Sequence, residues 1–189
     1  MNVVNWIADA YEDIQDKHAD WSFLRNDFSF NCVSGTGVYP ASTVTDLANW
    51  KRDSLRVYLT TTDDEQWLES RAWENFRDIR LMGSSRTQTG RPIEFSIKPD
   101  KSLIVWPIPD DTYTINGEYY KVAQVMADDT DEPVFDRHHM AIVYNALMRY
   151  AAYVAEPSLY ARAESEHKRL IRKIERDFTN GFTIGGPLA

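Results

Sequence analysis

The sequence has few cysteines, no long apolar run and a shortage of basic residues. Cys32 is the only cysteine, which excludes a scaffold held together by disulfides. No apolar run is long enough to span a membrane, and the mixed segment after Met1 does not fit a signal peptide, so we predict no membrane partner. Lysine and arginine number 21 against 29 aspartates and glutamates. The resulting net charge of −8 argues against a protein that grips nucleic acid by its phosphates.

Aromatic and aliphatic side chains are plentiful. Apolar residues make up 43% of the 189 residues, and six tryptophans, ten tyrosines and eight phenylalanines need a core that removes them from water. We therefore expect a folded chain, organised as one domain or as one domain with a sizeable insertion.

The charges are unevenly distributed along the chain. Residues 136–179 carry eight basic and six acidic side chains, whereas residues 1–135 carry 13 and 23. This difference is consistent with two surfaces that meet different neighbours. It also fits the simpler case of a solvated helix pair beside an acidic strand region, which the sequence alone favours.

Three long segments follow helical periodicity, and a short helix that ends near Gly83 is predicted from Trp73, Phe76, Ile79 and Arg80. Residues 2–20 have one apolar face and one mostly acidic face, and residues 140–154 are apolar nearly all round, which predicts a helix covered on most sides. Residues 158–178 carry one narrow apolar stripe that suits packing against another helix or another subunit. The stripe consists of Tyr160, Ala163, His167, Leu170, Ile174 and Phe178.

The middle of the chain favours strands because it is rich in alternating β-branched and aromatic residues. The predicted strands are residues 28–33, 55–60, 92–97, 102–106 and 112–122. Short connections join the last three, which predicts an antiparallel meander.

These patterns predict an α+β fold. The apolar face of the first helix needs a helical partner, so we expect an antiparallel helical bundle formed by the N-terminal helix and the two C-terminal helices, residues 1–22 and 136–178. Residues 23–135 then form a β-rich antiparallel insertion domain, and residues 179–189 form an extended C-terminal tail. The tail side chains Phe182, Ile184 and Leu188 have no evident partner in the chain, which favours a contact with other copies or another protein.

No catalytic residue, metal site or cofactor is predicted. His138 and His139 are adjacent at a helix start, so their rings point about 100° apart and do not share a metal ion. An acidic linker carries enough carboxylates to bind calcium, but it lacks the sixth-position glycine and the closing glutamate of a helix–loop–helix site, so a solvated linker is favoured. Its members are Asp128, Asp129, Asp131 and Glu132.

Several segments resemble, in their order and spacing, parts of phage head–tail adaptor proteins, including the tail tubular adaptors of short-tailed phages. The segments are residues 4–15, 21–25, 52–58, 64–68, 76–79, 89–92, 107–120 and 139–148. No single segment is diagnostic, and the specific signal is their order across most of residues 3–156.

The resemblance implies a virion protein of the capsid vertex. Its copies form a ring, usually of twelve, that contacts the portal protein and the tail or a further connector, and genomic DNA passes through without specific binding. The family's C-terminal segment often reaches along the portal, which assigns portal binding to Phe178, Phe182, Ile184 and Leu188. From the acidic balance of residues 1–135 we predict an acidic channel wall, with Asp128, Asp129, Asp131 and Glu132 as the candidates.

A different tail or connector component of the virion stays open as an alternative, and so do two other classes. A small β-rich binding module explains the aromatic strands but gives the C-terminal stripe and tail no purpose. An enzyme acting on nucleic acid or glycan needs a constellation of catalytic groups that the sequence does not display.

Overall fold

The computed structural model describes residues 3–59, 61, 64–128 and 130–179. These residues form an α+β structure, which confirms the predicted class. The α-helices are α1 (Val3–Asp16), α2 (Trp73–Arg80), α3 (Met140–Tyr153) and α4 (Pro157–Phe178). The strands are β1 (Arg25–Asn31), β2 (Val38–Tyr39), β3 (Leu47–Trp50), β4 (Arg56–Leu59), β5 (Glu65–Trp67), β6 (Glu69–Ser70), β7 (Glu94–Ile97), β8 (Leu103–Trp106) and β9 (Tyr113–Lys121).

The chain separates into two compact units. The described residues of Met1–Leu24 and Ala123–Ala189 form a helical unit that holds α1, α3 and α4. Arg25–Val122 form a strand unit that holds α2 and the nine strands given above. The existence of independent domains with boundaries at residues 22/23 and 135/136 stays a prediction.

The strand unit is a sandwich of two sheets. The first has the strand order β1-β9-β4-β5, with β3 also paired to β9, and the second has the order β2-β8-β7-β6. All pairs are antiparallel except β6–β7, which is parallel. One apolar core joins the two sheets, with Phe28 and Ile115 from the first packed together with Phe95 and Val105 from the second. This core accounts for much of the aromatic content of the middle of the chain.

The predicted meander of the last three strands is wrong. Strands β7 and β8 form an antiparallel pair, but β9 lies in the other sheet, where it pairs with β1, β3 and β4. Pro107 and Pro109 follow β8 directly, and proline has no amide hydrogen to donate to a ladder. The β8 ladder therefore ends at Trp106, and the chain crosses to the other layer before it extends again.

Strand β9 organises its sheet because three strands pair with it. At its centre, Gly117 is buried beneath the connection into β4: a Cβ atom there would lie 3.0 Å from the Ser54 carbonyl oxygen and 3.2 Å from the Leu55 Cα. Both neighbours are backbone atoms and cannot move aside. A glycine at this position lets the connection cross close to the sheet.

In the helical unit, α3 packs against both α1 and α4. The segment that leads into α3, residues 123–135, also belongs to this unit. The Tyr11 hydroxyl donates to Gln124 Oε1 at 2.9 Å and accepts from the Val134 amide at 3.0 Å, and the Tyr11 ring packs against Phe135. These contacts explain why the segment follows the helices, although the sequence pattern assigned it to the insertion.

Across the described ranges, no helix combines the length and the apolar character that crossing a membrane requires.

The strand unit contains a buried ionic cluster on β7. Arg80 donates from Nε to Glu94 Oε2 at 2.8 Å and from Nη2 to Oε1 at 2.6 Å, and Arg71 Nη2 donates to Oε1 at 2.9 Å. The Arg80 guanidinium also stacks on Trp106, 3.8 Å from the ring centroid. Burial raises the pKa of Glu94, but the hydrogen bonds from Arg80 and Arg71 outweigh it and hold this pKa below its usual value.

We expect Glu94→Ala to lower the free energy of unfolding by about 2–3 kcal/mol, because it leaves two guanidinium groups without their shared partner. Urea unfolding of the purified protein measures this. The control is Glu74→Ala, whose side chain is exposed in the first turn of α2 and should change stability by less than about 0.5 kcal/mol. Equal effects from the two substitutions contradict the role given to Glu94.

Candidate assembly surfaces

The apolar stripe on α4 is largely covered within the chain. Ala163, Leu170 and Ile174 are buried, and α4 packs against α3. Ile171 is buried beside them, although it lies outside the stripe defined from the sequence. Tyr160 is the exposed member, with 41% of its surface accessible. A contact of this stripe with another subunit stays a prediction; Tyr160 is exposed, and His167 and Phe178 are half-buried.

The two histidines on this side of the helical unit make local hydrogen bonds. His167 Nδ1 donates to the Ala141 carbonyl oxygen at 3.1 Å, and burial lowers the pKa of His167 below its usual value. His138 is buried, with Nε2 lying 2.9 Å from Asp177 Oδ2. This bond and Arg176 lower the pKa of Asp177. His167 therefore links α4 to the start of α3, and His138 links the turn before α3 to the end of α4.

The end of α4 is fixed by aromatic packing. The ring of Phe178 meets Phe23 edge-on at 5.3 Å between centroids and approaches His138 at 6.3 Å. Phe178, one of the predicted portal contacts, thus packs inside its own helical unit. The other predicted portal contacts, Phe182, Ile184 and Leu188, lie outside the described residues.

The predicted channel residues fall in a turn of the acidic linker. Asp131 Oδ2 accepts hydrogen bonds from the Ala127 amide at 2.8 Å and the Asp128 amide at 2.9 Å. These backbone donors lower the pKa of Asp131, so its carboxylate stays ionised and closes the turn. Asp128 and Glu132 are exposed, and Asp129 lies outside the described residues.

One flank of the α1–α3 pair is an apolar groove of about 240 Å³. It is lined by Val3, Trp6, Ile7, Val143, Ala146, Leu147 and Tyr150. Val143 is 47% exposed and Tyr150 43% exposed, and the nearby Tyr153 is 63% exposed. The expectation that α3 is covered on most sides is therefore wrong for a single chain, because α1 and α4 cover only part of its apolar surface.

A second, polar groove of about 710 Å³ lies in the strand unit. Most of its charges are already paired: Lys51 contacts Asp53 at 3.0 Å and Glu118 at 3.1 Å. At one end Arg56 lies over the ring of Trp67, which is 62% exposed. The groove offers a stacking surface with few unsatisfied charges.

Within the described part of the chain, no group of three or more histidine, cysteine, aspartate or glutamate side chains is arranged to hold a metal ion. Cys32 is buried, and burial raises the pKa of its thiol. A protonated thiol is a poor nucleophile, so Cys32 serves as a small apolar core residue.

The exposed apolar groove of this α+β protein fits a role in contacts with other proteins. The family model of the SU10 adaptor protein matches residues 1–180, so the chain belongs to that family of phage head–tail adaptors. It is a phage structural adaptor that associates with other head or tail proteins of the virion. The comparison with curated proteins gives no match.

The lowered pKa of His167 predicts a pH-dependent contribution to stability. Unfolded His167 takes up a proton near pH 6.5, whereas the buried ring takes it up only at lower pH, so acidification through about pH 6.5 favours unfolding. In His167→Gln, the amide can still donate to Ala141 but does not titrate.

We therefore expect the free energy of unfolding to fall less in His167→Gln than in the wild type between about pH 7.5 and about pH 5.5. Urea unfolding at the two pH values measures the difference. Other titrating carboxylates change the free energy of unfolding equally in both proteins, so their contributions cancel in the comparison. Identical pH dependence contradicts the role of His167.

Proposed function

We propose that this adaptor forms a ring between the portal at the capsid vertex and the tail or a further connector, and that the genome passes through the ring. The apolar groove between α1 and α3 carries the proposal. Apolar surface that a single chain leaves in water is typical of a protein–protein contact. Membership of the adaptor family supports the position in the virion.

We infer that α1, α3 and α4 form an antiparallel bundle that serves as the rigid part of each subunit. Two contacts support this arrangement. His138, just before α3, meets Asp177 near the end of α4, and Trp6, near the start of α1, packs against Tyr153 at the end of α3. A rigid bundle holds its outward-facing surfaces in fixed directions, as a closed ring requires.

The number of copies follows from the resemblance to head–tail adaptors, which supports a ring of twelve. Neighbouring subunits of a ring meet through two different surfaces, so each subunit must present a complementary pair. The apolar groove is one candidate surface, and Tyr160 on α4 is another.

The C-terminal tail is proposed to bind the portal through Phe182, Ile184 and Leu188. No charged residue occurs in residues 179–189, so the segment suits an apolar surface on a partner. The packing of Phe178 against Phe23 holds the end of α4, from which the tail extends.

We propose that Asp128, Asp129, Asp131 and Glu132 face the channel. The net charge of −8 supports this assignment, because carboxylates repel DNA phosphates over about 10 Å at 0.1 M salt. A wall of this kind lets DNA move without gripping it.

The second candidate function is a binding module, which the polar groove in the strand unit favours. Its exposed Trp67 offers a flat aromatic face to a ligand. Native mass spectrometry of the protein, alone and with its cognate portal ring, separates the two candidates. We expect several copies per portal ring. A monomer that ignores the portal contradicts the adaptor ring and supports the binding module.

Deletion of residues 180–189 should leave a folded protein that no longer joins filled capsids, because the deletion removes the apolar side chains assigned to the portal. Circular dichroism checks folding, and sedimentation with portal-bearing capsids measures attachment. A matched control replaces the same ten residues with glycine and serine and should also fail to attach. Attachment equal to that of the wild type contradicts portal binding by the tail.

Acidic side chains should outnumber basic ones on the wall of the channel. A cryo-electron microscopy map of the capsid vertex measures this directly. A channel lined by lysine and arginine contradicts the assignment.

A further inference from the structure

Two helices of the helical unit carry exposed charges of opposite sign. We define the basic row of α4 as Arg162, Arg169, Arg172, Lys173 and Arg176, and the acidic row of α1 as Asp9, Glu12, Asp13 and Asp16. In both rows the charges recur every three to four residues over most of their length, which places them along one face of the helix.

Part of each row is already paired within the chain. Arg149 of α3 contacts Asp9 at 3.1 Å and Asp13 at 2.5 Å. On α4, Arg169 pairs with Glu166 and Arg176 pairs with Asp177.

The remaining charges form a surplus of opposite sign on the two helices. Within the described residues, Arg162, Arg172 and Lys173 make no ion pair within 4.0 Å, and the same holds for Glu12 and Asp16. Among the residues that the structure describes, no ion pair joins the basic row to the acidic row. Lys17 and His18, just after α1, contact Glu175 of α4 at 2.6 Å and 3.3 Å, and these contacts lie outside both rows.

We propose that the basic row of α4 in one subunit docks on the acidic row of α1 in a second copy of this chain. The inference rests on the proposed ring, because a ring needs two different, mutually complementary surfaces on every subunit. The two rows meet this requirement in charge, and residues 169–176 of α4 match residues 9–16 of α1 in spacing, since each stretch offers one or two charges per helical turn of 5.4 Å.

A nucleic acid is the less favoured occupant of the basic row. The chain carries a net charge of −8, so its overall field repels a polyanion, whereas the acidic row of a second copy offers a local surface of opposite sign. Exposed ion pairs add little affinity each. Their role here is to set the orientation and the rate at which subunits meet, while apolar contacts stabilise the assembled ring.

Charge reversal tests the proposal. The variants are Arg172→Glu/Arg176→Glu on α4, Glu12→Lys/Asp16→Lys on α1, and the combination of all four; the members of each pair are four residues apart. All four positions are exposed. The control is Arg52→Glu/Arg86→Glu in the strand unit, which changes the net charge by the same amount as the α4 reversal at exposed positions. Circular dichroism and thermal unfolding confirm that each variant folds.

Subunits per ring are counted by native mass spectrometry, with and without the cognate portal, at about 50 mM and about 500 mM salt. We expect each reversal to raise the protein concentration needed to fill the ring by about tenfold or more at low salt. The combined variant should assemble within about threefold of the wild type because its pairs are restored with exchanged signs. The control should assemble like the wild type.

Other outcomes overturn the proposal in distinguishable ways. Reversals that assemble like the wild type refute the α1–α4 contact and leave the ring itself intact, whereas a wild type that fails to assemble even on the portal refutes the proposed function. If the α4 reversal alone fails and the combined variant is not rescued, the basic row contacts the portal. If the α4 reversal assembles like the wild type but binds a fluorescent DNA duplex more weakly, the basic row contacts nucleic acid.

Discussion

The structure depends on α3 having more apolar surface than two helices can cover. α1 and α4 bury Ala141, Ile142 and Ala146, yet Val143, Tyr150 and Tyr153 stay in contact with water. Burial of such side chains is the main favourable term in both folding and association. The same helix therefore stabilises the helical unit and leaves a surface whose exposure is unfavourable until another molecule covers it.

The strand unit handles its apolar residues differently. Its two sheets face each other, so Phe28, Tyr119 and Phe95 pack in an internal core, while Trp67 on β5 stays exposed. The cluster of Glu94 with Arg71 and Arg80 adds a buried set of ionic contacts on β7. The helical unit thus leaves the apolar groove between α1 and α3 exposed, whereas the strand unit encloses a shared apolar core between its two sheets.

Local periodicity made the helices predictable, because neighbours three or four residues apart share a face whatever the rest of the chain does. Strand partners were not predictable in the same way. The pairing of β9 with β1 joins residues some ninety positions apart, and nothing local distinguishes it from the expected pairing with β8.

The surfaces were predictable only in part. The narrow stripe on α4 was visible in the sequence, but its burial by α3 and the addition of Ile171 depend on how the helices pack. The apolar groove was not predicted. The sequence does indicate it, because residues 140–154 are apolar nearly all round and two helices cover only part of such a surface. The turn closed by Asp131 depends on backbone amides that composition does not reveal.

The two ends of the strand unit lie next to each other. Arg25 at the start of β1 pairs directly with Tyr120 near the end of β9, so the chain enters and leaves the sandwich side by side. Because its ends adjoin, inserting this unit into the chain costs little conformational entropy. Evolution can therefore replace it with another inserted unit while the path of the chain through the helices stays the same.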